Sequence, residues 1–167
     1  NSNMANFTDA YSDIIKASSW DQYGHRYNKT LLESSFINSD DAGPFSCWTG
    51  AAGCYNRIRR QNEFLRDAPN SVGKFGENFI KVRSAEVRFI RAFAYYRLIR
   101  VYGGVVIRTN VDGPDQNDKA RVSEAESWAQ VIDDLKFAGE NLPASWDNNG
   151  RITKASAYGM LSRAALY

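Results

Sequence analysis

Apolar residues recur along this chain at spacings of three and four with polar residues between them. That period puts them on one face of an α-helix and predicts an all-α protein. Helices are predicted at about residues 7–17, 48–66, 84–102, 123–141 and 153–167. The most regular stretch runs from Ala85 to Tyr102 and meets no proline or glycine before Gly103. Val87, Ile90, Ala94, Leu98 and Val101 share one face of it, and Phe89, Phe93 and Tyr96 form a second. A helix with two apolar faces has neighbours on two sides, so this one is expected inside a helical array. Phe93 and Leu98 are accordingly expected to be costly core truncations, in the ~2–5 kcal/mol range. Gly103 can end the helix in a left-handed conformation, and the β-branched run Val105-Val106-Ile107 then reads as a short extended segment.

The other helices carry their own signals. Ala51, Tyr55, Ile58 and Leu65 form a stripe that Asn62 interrupts. A buried amide needs partners, and Asn62 is expected to hydrogen-bond the backbone of a neighbouring helix or loop. Asp67-Ala68-Pro69-Asn70-Ser71-Val72-Gly73 breaks that helix. Ser123 and Glu126 form a capping box at the start of the next, and Thr153 caps the last. Ser123→Ala is expected to cost about 1 kcal/mol, and Ser127→Ala much less. Between Ser18 and Gly53 the periodicity fades, and Asp40-Asp41 followed by Gly43-Pro44-Phe45 marks a loop.

Charge and candidate chemistry narrow the function more than they define it. With 21 Lys and Arg against 19 Asp and Glu, a net charge of +2 gives no basis for a nucleic-acid partner. No apolar run approaches the ~18 residues of a membrane-spanning helix. His25 is the one histidine and has no serine or cysteine motif beside it, so it is read as a loop residue. The acidic loop Asp112–Asp118 contains Pro114 and lacks the EF-hand order, so calcium is not expected. Cys47 and Cys54 have no histidine or second cysteine pair for zinc. On one continuous helix they would stand ~10.5 Å apart along the axis, too far for a disulfide; a bridge requires Cys47 to precede the helix. Arg83, Arg88, Arg91, Arg97 and Arg100 scatter around the helical wheel and are read mostly as solvated or packing arginines, with Glu77 and Glu86 available as pairs. Asp133-Asp134 are adjacent and cannot face one another on a helix. No enzyme motif and no cofactor are predicted.

The segment A-E-V-R-F-I-R-A-F-A-Y-Y-R-L-I-R-V-Y-G-G-V resembles the most recognisable stretch of the SusD/RagB family. It matches at Ala85, Glu86, Arg88, Phe89, Arg91, Ala92, Tyr96, Leu98, Tyr102, Gly103 and Val105, and departs at Val106, where the family usually has proline. Further matches include Tyr55, Ile58, Arg121, Glu126, Asp134, Leu142, Pro143, Arg151, Thr153, Arg163 and Tyr167. The resemblance covers about Ala51–Tyr167, and together with the helix lengths it implies a tetratricopeptide-like array of antiparallel helix pairs, 48–66 with 84–102 and 123–141 with 153–167.

Such proteins are nutrient-binding lipoproteins of the bacterial outer membrane. The resemblance therefore implies a non-enzymatic glycan binder on the outer, extracellular face. It would be held by a lipid anchor and work with a SusC-type TonB-dependent porin in oligosaccharide uptake. It places ligand contacts in the S-D-D segment and the residues after it, here Asp40, Asp41, Phe45 and Trp48. Starch-binding members carry tryptophans in a longer loop. The opening Asn1-Ser2-Asn3 and a last helix without a stop signal predict that residues 1–167 form a single N-terminal helical domain of a longer chain. The other reading is a helical-repeat protein-interaction module with no small ligand.

Overall fold

The computed structural model describes residues 53–113, 118–147 and 150–167, all within one compact unit, Cys47–Tyr167. The predicted helix 7–17 and the opening of the predicted helix 48–66 lie outside the described residues. The described residues form helices α1 (Cys54–Asp67), α2 (Val72–Phe75), α3 (Glu77–Tyr102), α4 (Glu124–Asn141) and α5 (Lys154–Ala164). A 3₁₀ turn, Ala68–Ser71, carries Pro69 in its first turn and separates α1 from α2. That is where the sequence places a break. The central helix begins seven residues before the expected 84, because nothing between Gly76 and Gly103 is glycine or proline to stop it.

The array is read from its cross-helix contacts. Helix α3 packs against both α1 and α4, and α4 packs against α5. Asn62 of α1 meets Arg91 of α3 while Tyr55 at the start of α1 meets Val106 just past the end of α3, so α1 and α3 run antiparallel. Arg91 pairs with Asp134 and Tyr96 packs edge-on against Trp128, which makes α3 and α4 antiparallel too. The Trp128 ring stacks on Tyr167 beyond α5, while Gly139 lies against Tyr158 within it, giving the same relation for the last pair. The core between them holds Ile58, Tyr95, Leu98, Ile99, Val131 and Leu135. A second cluster of Ala85, Ala138, Leu142 and Ala157 closes the far end of α4.

One expectation about α3 is corrected. Leu98 is fully buried, but Phe93 and Ile90 are each 44% exposed and Val101 43% exposed. At about 100° per residue these three fall within roughly 80° of the wheel, opposite the arc of Ala92, Tyr95, Leu98 and Ile99. The apolar spacing is real, but α1 and α4 share that opposite arc.

A second correction concerns α4. Its capping box is present: the Ser123 Oγ accepts the Glu126 N–H at 3.2 Å, and the Glu126 carboxylate accepts the Ser123 N–H at 2.9 Å. Hydrogen bonds from the Ser123 hydroxyl and N–H hold the Glu126 carboxyl below its ordinary range. Ser127, however, is fully buried; its Oγ accepts the Val105 N–H at 3.1 Å and donates to the Ser123 carbonyl at 2.9 Å. Removing it strands a buried N–H, at about 1–3 kcal/mol. Ser127→Ala is therefore expected to lower the urea midpoint at least as far as Ser123→Ala, which loses a cap worth about 1 kcal/mol. A Ser127→Ala protein indistinguishable from wild type would remove this anchor from the account.

The turn from α3 into the next segment is tight. Gly103, at φ 66°, ends α3 as its sequence predicts. At Gly104 a Cβ would stand 2.2 Å from the Val122 carbonyl oxygen, so only glycine lets the two backbones pass.

Candidate functional site

Residues 105–110 leave α3 as an extended segment that joins no sheet among the described residues, so their backbone groups need other partners. Side chains supply them. The Tyr55 hydroxyl donates to the Val106 carbonyl at 3.0 Å and accepts the Val106 N–H at 3.1 Å. Two residues on, the Tyr95 hydroxyl donates to the Arg108 carbonyl at 2.9 Å and accepts the Arg108 N–H at 2.6 Å. The Asn62 amide donates to the carbonyls of Arg108 and Asn110 at 2.9 and 3.1 Å. Residues 106, 108 and 110 thus face α1 and α3, as alternation along a strand requires. Val105, facing the other way, is held by Ser127 and by the Val122 N–H. Burial pushes both the Tyr55 and the Tyr95 phenols up, so the two hydroxyls stay protonated and able to donate.

A buried ion pair stands behind this segment. The Arg91 guanidinium meets the Asp134 carboxylate with two parallel bonds, Nε–Oδ2 and Nη2–Oδ1, both 2.7 Å. Its Nη1 donates to the Asn62 Oδ1 at 2.7 Å. The side chains of Arg91 and Asp134 are 5% and 0% exposed. Asn62, Arg91 and Asp134 therefore join α1, α3, α4 and the segment into one hydrogen-bonded unit. Asn62 has the structural role its place in an apolar stripe predicts.

Between α1 and this segment lies a cavity of about 400 Å³, the size of a small-molecule site. Its walls include Tyr55, Asn62, Arg59, Arg108, Asp112 and Lys119. The Asp112 carboxylate accepts from Lys119 Nζ and from Arg108 Nη1, both at 2.7 Å. Lys119 first, and then Arg108, holds the Asp112 carboxyl below the ordinary range despite its burial. At the rim the Arg59 Nε donates to Glu63 at 3.0 Å. None of the described lining residues is serine, cysteine or histidine. Among the described residues no group of three or more His, Cys, Asp or Glu could hold a metal ion. The arrangement is suited to holding a polar ligand by hydrogen bonds and charge.

The predicted ligand residues Asp40, Asp41, Phe45 and Trp48 lie outside the described residues, as do His25 and Cys47. Cys54 is buried in the core. Sequence reasoning missed Arg108, Asp112 and Lys119 as neighbours, because their shared cavity depends on how the 105–112 segment is pinned. It also read Arg91 among the packing arginines and Asp134 as one of an adjacent pair. The available signal was Asp134 at an apolar position of the Val131, Leu135, Ala138 stripe. Arg88 did prove a packing arginine, its guanidinium 4.2 Å from the centre of the Phe137 ring. Glu86 is shared by Arg83 and Arg151, and Arg151 stacks on Trp146 at 4.3 Å.

Among the described residues no helix is long and apolar enough to cross a membrane. Residues 1–166 match the SusD-like family described as starch-binding and associating with the outer membrane. The chain is 29% identical over 135 residues to SusD-like protein P2 of Formosa agariphila, covering 80% of this chain and 26% of that protein. It is 34% identical over 117 residues to a SusD-like protein of Bacteroides ovatus, covering 69% of this chain and 21% of the relative. A laminarin-binding SusD-like protein of solved structure superposes over 99% of this chain and 35% of its own, with a TM-score of 0.79 and 27% identity. The chain thus spans about a quarter of the length of the curated relatives it matches. With the helical array, the motif around Arg91 and a match along nearly its whole length in agreement, the chain belongs to the SusD/RagB family.

Proposed function

We propose that this chain is the helical part of a cell-surface glycan-binding protein that delivers oligosaccharides to a SusC-type TonB-dependent transporter. The family match over residues 1–166 carries the reading. The protein captures its ligand and is not an enzyme; the hydrogen-bond donors and charge on the cavity's described walls suit holding a ligand. It sits on the extracellular face of the outer membrane through a lipid anchor. Asp40, Asp41, Phe45 and Trp48 contribute polar and aromatic contacts to the sugar, and the remaining aromatic faces come from outside these residues. Stacking platforms on opposing walls are what hold a sugar ring.

Calorimetry of residues 1–167 and of the complete protein against the same oligosaccharide tests this. The complete protein is expected to bind, and residues 1–167 to bind weakly or not at all while remaining helical. Equal affinity would place the whole site within these residues and make Phe45 and Trp48 the first positions to mutate. A second reading, a protein-interaction module without a small ligand, is favoured by the outward-facing Phe79, Ile90, Phe93 and Val101 of α3. It predicts no glycan binding by the complete protein.

A further inference from the structure

We infer that the cavity over residues 105–112 takes an anionic group of the saccharide, a uronate carboxylate or a sulfate ester, an inference that rests on the glycan-binding reading above. Its described walls carry three cations, Arg59, Arg108 and Lys119, against the single carboxylate of Asp112. Asp112 is 8% exposed and is already held by both Arg108 and Lys119, so it is turned to its own cations. Arg59 leans on Glu63, whose side chain is 39% exposed and solvated. Even with Glu63 counted, these described residues keep one positive charge in excess. An exposed pair of this kind is worth little, so an incoming anion competes for Arg59 at small cost. The side chains of Arg59 and Lys119 are 60% and 37% exposed, which leaves both cations reachable from solvent.

The floor is rigid as well as charged. The Tyr55 hydroxyl and the Asn62 amide lock the backbone of 106, 108 and 110, so Arg108 and Asp112 project from a segment that has little freedom left to lose on binding. Charge-assisted hydrogen bonds from a guanidinium or ammonium to a carboxylate or sulfate are the stronger kind, and guanidinium matches those planar or tetrahedral oxygens well. A neutral glucan offers hydroxyls alone and draws no advantage from the excess charge. The cavity thereby becomes a subsite that selects for charge.

The test uses the complete protein and three probes: an oligogalacturonate, a sulfated galactan oligosaccharide and a neutral laminari-oligosaccharide. At least one anionic probe is expected to bind about tenfold or more tightly than the neutral one, and preference between the two anionic probes assigns carboxylate or sulfate. Raising the salt concentration should narrow that gap. Arg59→Gln and Lys119→Gln should each weaken the anionic probe severalfold, and by more than they weaken the neutral one. Glu63→Gln, which frees Arg59, should strengthen it; a surface substitution with a merely structural effect would not. Equal binding of charged and neutral probes, or an anionic affinity that ignores Arg59, Glu63 and Lys119, would overturn the inference while sparing the glycan reading. Binding of no saccharide at all would overturn both.

Discussion

Asp134→Ala is expected to cost about 3–5 kcal/mol, among the largest effects of any single substitution here. The carboxylate is fully buried and takes two 2.7 Å bonds from Arg91, itself almost fully buried. Removing it leaves a guanidinium in the core with only Asn62 and, at 3.5 Å, the Thr109 carbonyl. The damage spreads because the same Asn62 amide holds Arg108 and Asn110. Replacing both partners with apolar residues, Arg91→Met with Asp134→Leu, removes the stranded charge and is expected to recover much of the loss. Urea unfolding of the single and double variants measures this. A double variant no more stable than Asp134→Ala would show that the cost is not that of an uncompensated ion.

Leu98→Ala is expected to cost about 2–5 kcal/mol, against a much smaller loss for Phe93→Ala. Both stand on the central helix five residues apart and both read as core from the sequence. Leu98 lies in the cluster with Ile58, Tyr95, Val131 and Leu135 and is fully buried, so truncation leaves a cavity between three helices. Phe93 is 44% exposed, and a smaller side chain there leaves solvent, not a void. Equal urea midpoints for the two variants would contradict the assignment of faces.

The helices after residue 53 were legible because their signals are local. Gly103, the Ser123–Glu126 box and the Thr153 cap each act within a turn of the helix they bound. Asn62 could also be read correctly, since an amide in an apolar stripe must find partners. The faces of α3 were harder. Apolar spacing says which residues could share a face, but which arc is covered depends on the two helices that pack there. Ser127 was misread for a related reason: position four of a capped helix is ordinarily near solvent, and only the return of Val105 from 22 residues away makes its hydroxyl an anchor. The cavity was least legible of all. Arg59, Arg108 and Lys119 are unremarkable surface cations in sequence, and they converge only because tyrosine and asparagine side chains bend the 105–112 segment over α1.

Those same side chains bear on how the protein avoids self-association. Val105-Val106-Ile107 is a short, uncharged, β-branched run, the type of segment that recruits further strands when its backbone edge is open. Sheet proteins guard such an edge with a neighbouring strand; here two phenols and one amide occupy the N–H and C=O groups of 106 and 108 and the C=O of 110. Among the described residues, all of whose regular elements are helices, a strand-prone sequence thus has the edge facing α1 and α3 already filled. Loss of either hydroxyl would open part of that edge while removing a single oxygen atom, so these tyrosines guard against self-association as well as shaping the cavity floor.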